Sequence, residues 1–285
     1  MKKVACILEE NFKNYLLTFY LIKVKGKRIS VINKIPCSID KIIIKNNDEK
    51  YIRKHLKELY KMINNELLLN KFNNANCVIG NNLYTNIRDK YMYPNISKIE
   101  LKKIIDLEIN KKYGSSEITY LKINKIDKKF KVNIIIQKKA VKTLIDEMFN
   151  NIHLKLKKTL FLPEAIDKLI KPNINMEFKK TINQNNNYLF IYESDNNYIL
   201  NVVIDNEIEY TCTHNKKDNL TSKLLSIYGY YSNELNHTVY VSLLNDKKFI
   251  EENNIGLKII EISPNTMLEI ESLINKYEKN DYEKL

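Results

Sequence analysis

The chain has 285 residues, of which 44% are apolar and 28% charged, a balance typical of a globular protein with ample core. The longest apolar run, Tyr15–Ile22, is far too short to span a membrane. Glu9 and Glu10 interrupt the N-terminal apolar run too early for a signal peptide. We therefore expect a cytoplasmic protein.

The net charge is +13, from 47 Lys and Arg against 34 Asp and Glu. Such a charge suits a nucleic acid or an anionic membrane surface as partner, but it also follows from a general overuse of lysine. Only three of the basic residues are arginine, the residue that pairs best with guanine and phosphate. We therefore expect no nucleic-acid partner, and attraction to a membrane surface stays open.

The four cysteines, Cys6, Cys37, Cys77 and Cys212, are not spaced as metal ligands, and we expect them to be reduced and mostly buried. Cys212 and His214 share a strand face, but zinc needs three or four ligands, so no metal site is expected. The chain contains no P-loop, nucleophile elbow or His-Glu zinc motif.

The first eighty residues read as strands around one long helix. Asp48 can cap that helix, which extends to about Leu69 with an apolar stripe along one face. The extended runs are Lys3–Leu8, Tyr15–Lys25, Arg28–Ile35, Lys41–Lys45 and Asn76–Gly80. The order β-β-β-(β)-α-β is typical of the beginning of a ribonuclease-H-like half domain.

An inserted α-β-β-α-β subdomain is predicted over residues 81–162. Ser97 and Glu100 have the spacing of a capping box, and the helix that they open ends near Gly114. We expect Ile99, Ile104, Ile105, Leu107 and Ile109 to line this helix. Residues 163–172 return to the first half, and the polar segment 173–187 reads as a linker.

Residues 188–285 repeat the order of the first half: three strands, a helix, a strand, a helix, a strand and a last helix. The predicted fold is therefore α/β, with two ribonuclease-H-like half domains and a subdomain inserted in the first. The repeat is architectural, without an obvious identity of sequence.

This arrangement resembles the actin-like superfamily. The segment Ile87–Glu108, with Tyr93-Pro94, Ser97, Glu100-Leu101 and Ile104–Glu108, is similar to a "Pro … Glu-Leu … Ile … Glu" segment of the PilM family of type IV pilus assembly proteins. The cytoplasmic domain of GspL, from type II secretion, is a second family with a similar pattern. The resemblance in pattern covers nearly the whole chain.

The resemblance implies two phosphate-binding turns, one between the first two strands of each half, with an Asp and glycines whose amides approach the phosphates. Here the turns contain Glu9, Glu10 and Asn11 in the first half, and Ser194 and Asp195 in the second, without glycine. The turn that would contact adenosine contains Asn245 in place of a glycine pair. We expect no catalytic residue and no cofactor, and ATP with Mg²⁺ only if this degenerate site still binds.

The resemblance then implies a non-catalytic scaffold at the inner face of the cell membrane, in a type IV pilus or related secretion platform. Its partner would be the cytoplasmic tail of a bitopic, PilN-like membrane protein, and a pilus ATPase complex is a further partner of this kind. The candidate partner-binding residues are Tyr93, Pro94, Leu101 and Ile105, with burial in the subdomain core as the alternative. An active ATPase with altered loops and a basic nucleic-acid-binding protein are the other hypotheses.

Overall fold

The computed structural model describes residues 1–242, 258–261 and 267–274, except residues 27, 46–47, 84, 115, 127, 181–186, 194–196, 206, 217 and 236–237. The chain divides into two compact units, the first comprising Met1–Thr159 and the chain from Ile274, the second Leu160–Leu273. Each unit is built around a five-stranded sheet, and the first unit also contains a separate three-stranded sheet.

The first unit begins with three antiparallel strands and continues with two helices and a parallel strand. These elements are β1 (Lys2–Glu10), β2 (Asn14–Lys25), β3 (Arg28–Asp40), α1 (Lys41–Lys45), α2 (Glu49–Leu69) and β4 (Ala75–Asn81). The Asp48 side chain accepts hydrogen bonds from the amides of Lys50 (2.9 Å) and Tyr51 (3.2 Å), so it caps α2 as predicted.

One short element differs from its prediction. Residues 41–45 were expected to be extended, but they form helix α1. The Asp40 side chain accepts a hydrogen bond from the amide of Ile42 at 2.8 Å, which ends β3 and starts the helical turn. This local bond prevails over the strand preference of the three consecutive isoleucines.

Four elements form the inserted block: β5 (Ile87–Pro94), α3 (Lys98–Tyr113), β6 (Ser116–Ile126) and β7 (Lys129–Lys138). They build a sheet of order β5-β7-β6, covered on one face by α3. The predicted capping box is present, since Ser97 Oγ accepts from the Glu100 amide (3.2 Å) and Glu100 Oε2 accepts from the Ser97 amide (3.1 Å).

The next two elements, α4 (Lys139–Asn151) and β8 (Leu154–Phe161), were predicted to lie in the inserted block, but they belong to the main sheet and its core. Strand β8 lies beside β4, giving the order β3-β2-β1-β4-β8. The apolar face of α4 packs into the core beneath this sheet. Buried Glu147 accepts from Arg53 Nε (3.1 Å) and Nη2 (3.0 Å), which joins α4 to α2. The inserted block is therefore β-α-β-β, over residues 87–138.

The second unit contains α5 (Leu162–Lys180), β9 (Tyr188–Glu193), β10 (Asn197–Ile204), β11 (Glu207–Asn215), α6 (Leu220–Tyr230), β12 (Thr238–Ser242), β13 (Lys258–Glu261) and α7 (Leu268–Ile274). Its sheet order is β11-β10-β9-β12-β13. Counted along the chain, both five-stranded sheets have the order 3-2-1-4-5, with the first three strands antiparallel and the first and fourth parallel. The predicted duplication of a ribonuclease-H-like half domain is thus present.

Helix α5 differs from the prediction in extent and in place. It continues to Lys180, through much of the segment expected to be a linker, and it groups with the second unit. Pro172 lies inside the helix, where it removes one backbone hydrogen bond. Because Ile174, two residues further on, is fully buried, packing offsets that loss and the helix does not end at the proline.

All four cysteines are free thiols, and three of them are buried, as predicted. Burial raises the pKa of the Cys37 thiol to about 12. Among the described residues, no three or more His, Cys, Asp or Glu side chains are placed to hold a metal ion. In the same part of the chain, no helix is both long enough and apolar enough to cross a membrane.

The two faces of α3 give a prediction about stability. Ile105 is fully buried in the block's core, whereas Leu107 on the same helix is 71% exposed. Ile105→Ala should cost about 2–5 kcal/mol, because it leaves a cavity, and Leu107→Ala should change stability by less than about 0.5 kcal/mol. Hydrogen exchange over residues 87–138 measures both variants, and equal losses of protection would contradict this assignment of the faces.

A buried carboxyl in the second unit gives a prediction about pH. Burial raises the pKa of Asp167 above its ordinary value of 3.8, although the hydroxyl of Tyr188 donates a 2.5 Å hydrogen bond to it. The folded state therefore binds the proton more tightly than the unfolded state, so stability falls as pH rises above about 3.8.

Asp167→Asn keeps an acceptor for Tyr188 and removes the buried charge. We expect a higher melting temperature at pH 7 and a flatter decline of stability from pH 4 upward, measured by thermal unfolding. Exposed Asp205→Asn is the matched control and should leave the pH profile unchanged. A lower melting temperature for Asp167→Asn at pH 7 would show that the ionised carboxylate stabilises the fold.

Candidate functional site

The first predicted phosphate turn joins β1 to β2 and is closed by the side chain of Asn11. Asn11 Oδ1 accepts hydrogen bonds from the amides of Lys13 (2.9 Å) and Asn14 (2.7 Å), and the Asn11 amide donates to the carbonyl of Asn14 (2.9 Å). A phosphate-binding turn aims such amides at its ligand. Here the amides of Lys13 and Asn14 donate to Asn11 instead, so an anion would have to compete with the Asn11 side chain for them.

Glu10, the last residue of β1, directly precedes this turn. Its side chain is fully buried, and Lys41 Nζ lies 2.6 Å from its Oε2. The amide and hydroxyl of Thr85 both donate to its Oε1, at 2.8 Å and 2.6 Å. Both carboxylate oxygens therefore have donors, and the charge is compensated by a lysine whose side chain is only 23% exposed.

The loop after β4 holds the turn from the other side. Asn82 donates from its amide to the carbonyl of Leu8 (2.8 Å), and its side chain lies 3.4 Å from Glu9 Oε1. Asn81 Oδ1 accepts from the amide of Leu83 (3.2 Å) and from the Asn86 side chain (3.1 Å). Asn82 thus links the loop to the end of β1 through its amide and its side chain, while Asn81 closes the loop itself.

The second half has the same arrangement at the end of its own first strand. Glu193, the last residue of β9, is buried and forms an ion pair with Lys216. Ser194 and Asp195, which follow it in the second predicted phosphate turn, lie outside the described residues, as does Asn245.

Each glutamate belongs to a cluster of three residues, which we call the Glu–Lys–Tyr cluster of that half. Glu10 pairs in register with Tyr15, and Glu193 pairs with Tyr198. The lysine is in both cases the first residue after the third strand, and its Nζ lies over the tyrosine ring, 5.2 Å from the centroid in the first half and 5.9 Å in the second.

A short sequence pattern accompanies this repeat, although the two halves show no obvious identity of sequence. Residues 10–15 and 193–198 share the pattern Glu-x-x-x-Asn-Tyr, and each is followed by a lysine directly after the third strand. A pattern of three matching residues is too short to reveal a repeat by itself. It becomes informative once the strand order places both copies between the first and second strands of their halves. Lys41, Thr85 and Lys216 were therefore not predicted as parts of the site.

The residues of the first turn do not fit a nucleotide phosphate. The turn has no glycine, the amides of Lys13 and Asn14 are bonded to Asn11, and the buried Glu10 carboxylate directly precedes it. An incoming phosphate would have to break the Glu10–Lys41 pair or lie beside its carboxylate, and both are unfavourable.

Three of the four predicted partner-binding residues lie in the core of the inserted block. Tyr93 is 6% exposed, and Leu101 and Ile105 are fully buried. The Tyr93 hydroxyl donates to Glu108 at 2.5 Å, so its polar end is also held inside the block. Pro94 is exposed at the end of β5, an edge strand of the three-stranded sheet.

No protein-family model matches the chain, and no curated protein matches its sequence. Among solved structures, the PilM–PilN type IV pilus biogenesis complex is similar at 12% identity, over 91% of this chain and 88% of that chain, with a TM-score of 0.56. A Bacteroides thetaiotaomicron protein with an actin-like ATPase fold and unknown function matches at 11% identity, over 95% of both chains, with a TM-score of 0.47. The cytoplasmic domain of EpsL, an inner membrane component of the Vibrio cholerae type II secretion system, matches at 7% identity, over 85% of this chain and 82% of that chain, with a TM-score of 0.47.

At these identities the likeness establishes the fold. The chain has the α/β actin-like fold, with two ribonuclease-H-like half domains, as the sequence predicted. Proteins of this class include both ATPases and non-catalytic proteins, so the fold does not decide between them.

The ion pair in the first half gives a test of the site. Glu10→Gln keeps an acceptor for Thr85 but leaves the Lys41 ammonium without its carboxylate, and we expect it to cost about 3 kcal/mol in urea unfolding. The double variant Glu10→Gln with Lys41→Met should recover most of that loss, because no unpaired charge remains.

Two further variants serve as references for this test. Glu193→Gln should show a loss of similar size, because its pair with Lys216 is equally buried. Glu58→Gln, in an exposed pair with Lys61, should leave the unfolding midpoint unchanged. If the double variant were less stable than Glu10→Gln alone, the assignment of the loss to an unpaired lysine would be wrong.

Proposed function

We propose that this chain is a scaffold with an actin-like fold that does not hydrolyse ATP. The observation that carries the proposal is the first turn, where Asn11 accepts from the amides of Lys13 and Asn14 and the buried Glu10–Lys41 pair lies directly beside it. The buried Glu193–Lys216 pair at the equivalent place in the second half supports it. In both halves a lysine already neutralises the buried glutamate, so neither carboxylate requires a metal ion and neither lysine requires a phosphate.

We further propose that the scaffold serves in the cytoplasm, at the inner face of the cell membrane, in a type IV pilus or secretion assembly. The likeness to PilM in a complex with PilN supports this setting. The partner would be the short cytoplasmic tail of a bitopic membrane protein of the PilN kind, with a pilus ATPase complex as a second contact.

The inserted block offers a place for such a tail. Its strand β5 lies at one edge of the three-stranded sheet and has no second strand partner among the described residues. An extended peptide can add its backbone to such an edge. Met92, 56% exposed on β5, and Pro94 at its end are then nearer to the tail than buried Tyr93, Leu101 and Ile105.

Calorimetry with ATP and Mg²⁺ tests the first part of the proposal. We expect no binding heat up to millimolar nucleotide, because the amides of Lys13 and Asn14 are bonded to Asn11 and a phosphate at this turn would lie near the Glu10 carboxylate. Micromolar binding would overturn the proposal and favour an active ATPase with altered loops. A steady-state ATPase assay of the same preparation must agree.

A synthetic peptide of the cytoplasmic tail of the bitopic membrane protein encoded beside this chain tests the second part, by fluorescence anisotropy. If the tail adds to a strand edge, methylating the amides of one alternate set of its residues should abolish binding. Methylating the other set, whose amides face away from the edge, should change affinity less than threefold. Absence of binding by the unmodified peptide would count against this partner, and equal losses from both sets would exclude strand addition.

A further inference from the structure

Helix α3 has apolar residues on two opposite faces. Leu101, Ile105 and Ile109 are fully buried and pack against strand β7. On the outer face, Ile99 and Leu107 are each 71% exposed, although the sequence pattern suggested that they line the core. Exposed leucines also occur elsewhere, as Leu68 and Leu69 at the end of α2, so Ile99 and Leu107 become informative only together with the residues that share their face.

Lysines share this outer face. Residues four apart on a helix lie one above the other, so Ile99, Lys103, Leu107 and Lys111 form one row, which we call the outer row of α3. All four residues of the row are exposed. The row therefore alternates an aliphatic and a basic side chain along about three turns of helix.

Two of the three acidic residues of α3, Glu100 and Glu108, accept hydrogen bonds within the block. The Glu100 carboxylate accepts from the amide of Ser97 (3.1 Å) and from its hydroxyl (2.8 Å), and Glu108 accepts from Tyr93. The whole block, residues 87–138, contains thirteen Lys and Arg against six Asp and Glu. About half of the chain's net charge thus lies in less than a fifth of its length.

The positive charge of the outer row distinguishes between the partners that could cover it. A second copy of this chain would bring the same positive charge and be repelled. A purely apolar partner would leave the lysines without a role. An anionic lipid surface satisfies both kinds of residue, because aliphatic side chains enter the boundary of the acyl chains while lysines remain among the negative headgroups.

We propose that the outer row of α3 docks directly on an anionic membrane surface. The contact is peripheral, with Ile99 and Leu107 inserted into the headgroup boundary and Lys103 and Lys111 paired with lipid charges. It goes beyond the proposed function, in which a protein tail makes the link to the membrane, and it is tested on the full chain alone, without that tail.

Co-sedimentation with vesicles tests the proposal. We expect binding to vesicles of phosphatidylcholine with 30% phosphatidylglycerol, little binding to pure phosphatidylcholine, and at least a tenfold loss of affinity on raising NaCl from about 0.1 to 0.5 M. No binding to the anionic vesicles, or equal binding to both kinds, would overturn the proposal.

Substitutions in the outer row and on α2 distinguish binding through this row from a general attraction of the basic chain to anionic vesicles. Ile99→Ser with Leu107→Ser should weaken binding at least tenfold, whereas Leu68→Ser with Leu69→Ser, on equally exposed leucines of α2, should change it less than twofold. Lys103→Gln with Lys111→Gln should weaken binding more than Lys54→Gln with Lys57→Gln, an exposed pair on α2.

Equal losses in the row and control variants would assign binding to the net charge of the chain and overturn the proposal. Because all eight substituted residues are exposed, each variant should keep its melting temperature within about two degrees, which circular dichroism verifies.

Discussion

The structure of each half depends on a carboxylate buried at the end of its first strand. A buried charge is tolerated only when a partner compensates it, and in both halves the partner is a lysine directly after the third strand. The pair therefore joins the ends of two strands that are not neighbours in the sheet. The tyrosine between them, in register with the glutamate, supplies the ring over which the lysine lies. One ion pair thus sets the relative positions of three strand ends, which is a structural role that requires no ligand.

The lack of glycine in the turns says less about nucleotide binding than the bonds of Asn11 and Glu10 do. The chain has only five glycines, and it uses other residues where the backbone is left-handed, with Lys71, Asn74, Lys128 and Asp205 at φ between 52° and 63°. A missing glycine could therefore reflect composition alone. The hydrogen bonds of Asn11 are more specific, because they occupy the amides that a phosphate would need. The pairing of Glu10 is specific for the same reason, since it places a compensated carboxylate directly before the turn.

Much of the fold was predictable because its signals are local. Asp48 and Ser97 cap helices where the sequence places them, and the repeated order of strands gives two ribonuclease-H-like halves. The errors concern contacts between distant parts of the chain. Nothing local shows that β8 pairs beside β4, so the inserted block was predicted too long. The polar segment 173–187 was expected to be a linker, but α5 runs through it to Lys180, and the burial of Ile174 shows why the helix continues. The Glu–Lys–Tyr clusters escaped prediction because their lysines are about twenty to thirty residues from their glutamates.

Helix α3 shows why burial cannot be derived from apolar content alone. Its six isoleucines and leucines are spread around the helix, so periodicity does not identify one core-facing side. The sheet beneath the helix determines which side is buried. Val132, Ile134 and Ile136 alternate along β7 and pack in one cluster with Leu101, Ile105 and Ile109. Ile99 and Leu107 lie on the opposite side of the helix from these buried residues of α3, so they are not part of the core. Exposed leucines also occur elsewhere, as Leu68 and Leu69, and it is the lysines between Ile99 and Leu107 that indicate a surface both apolar and negatively charged.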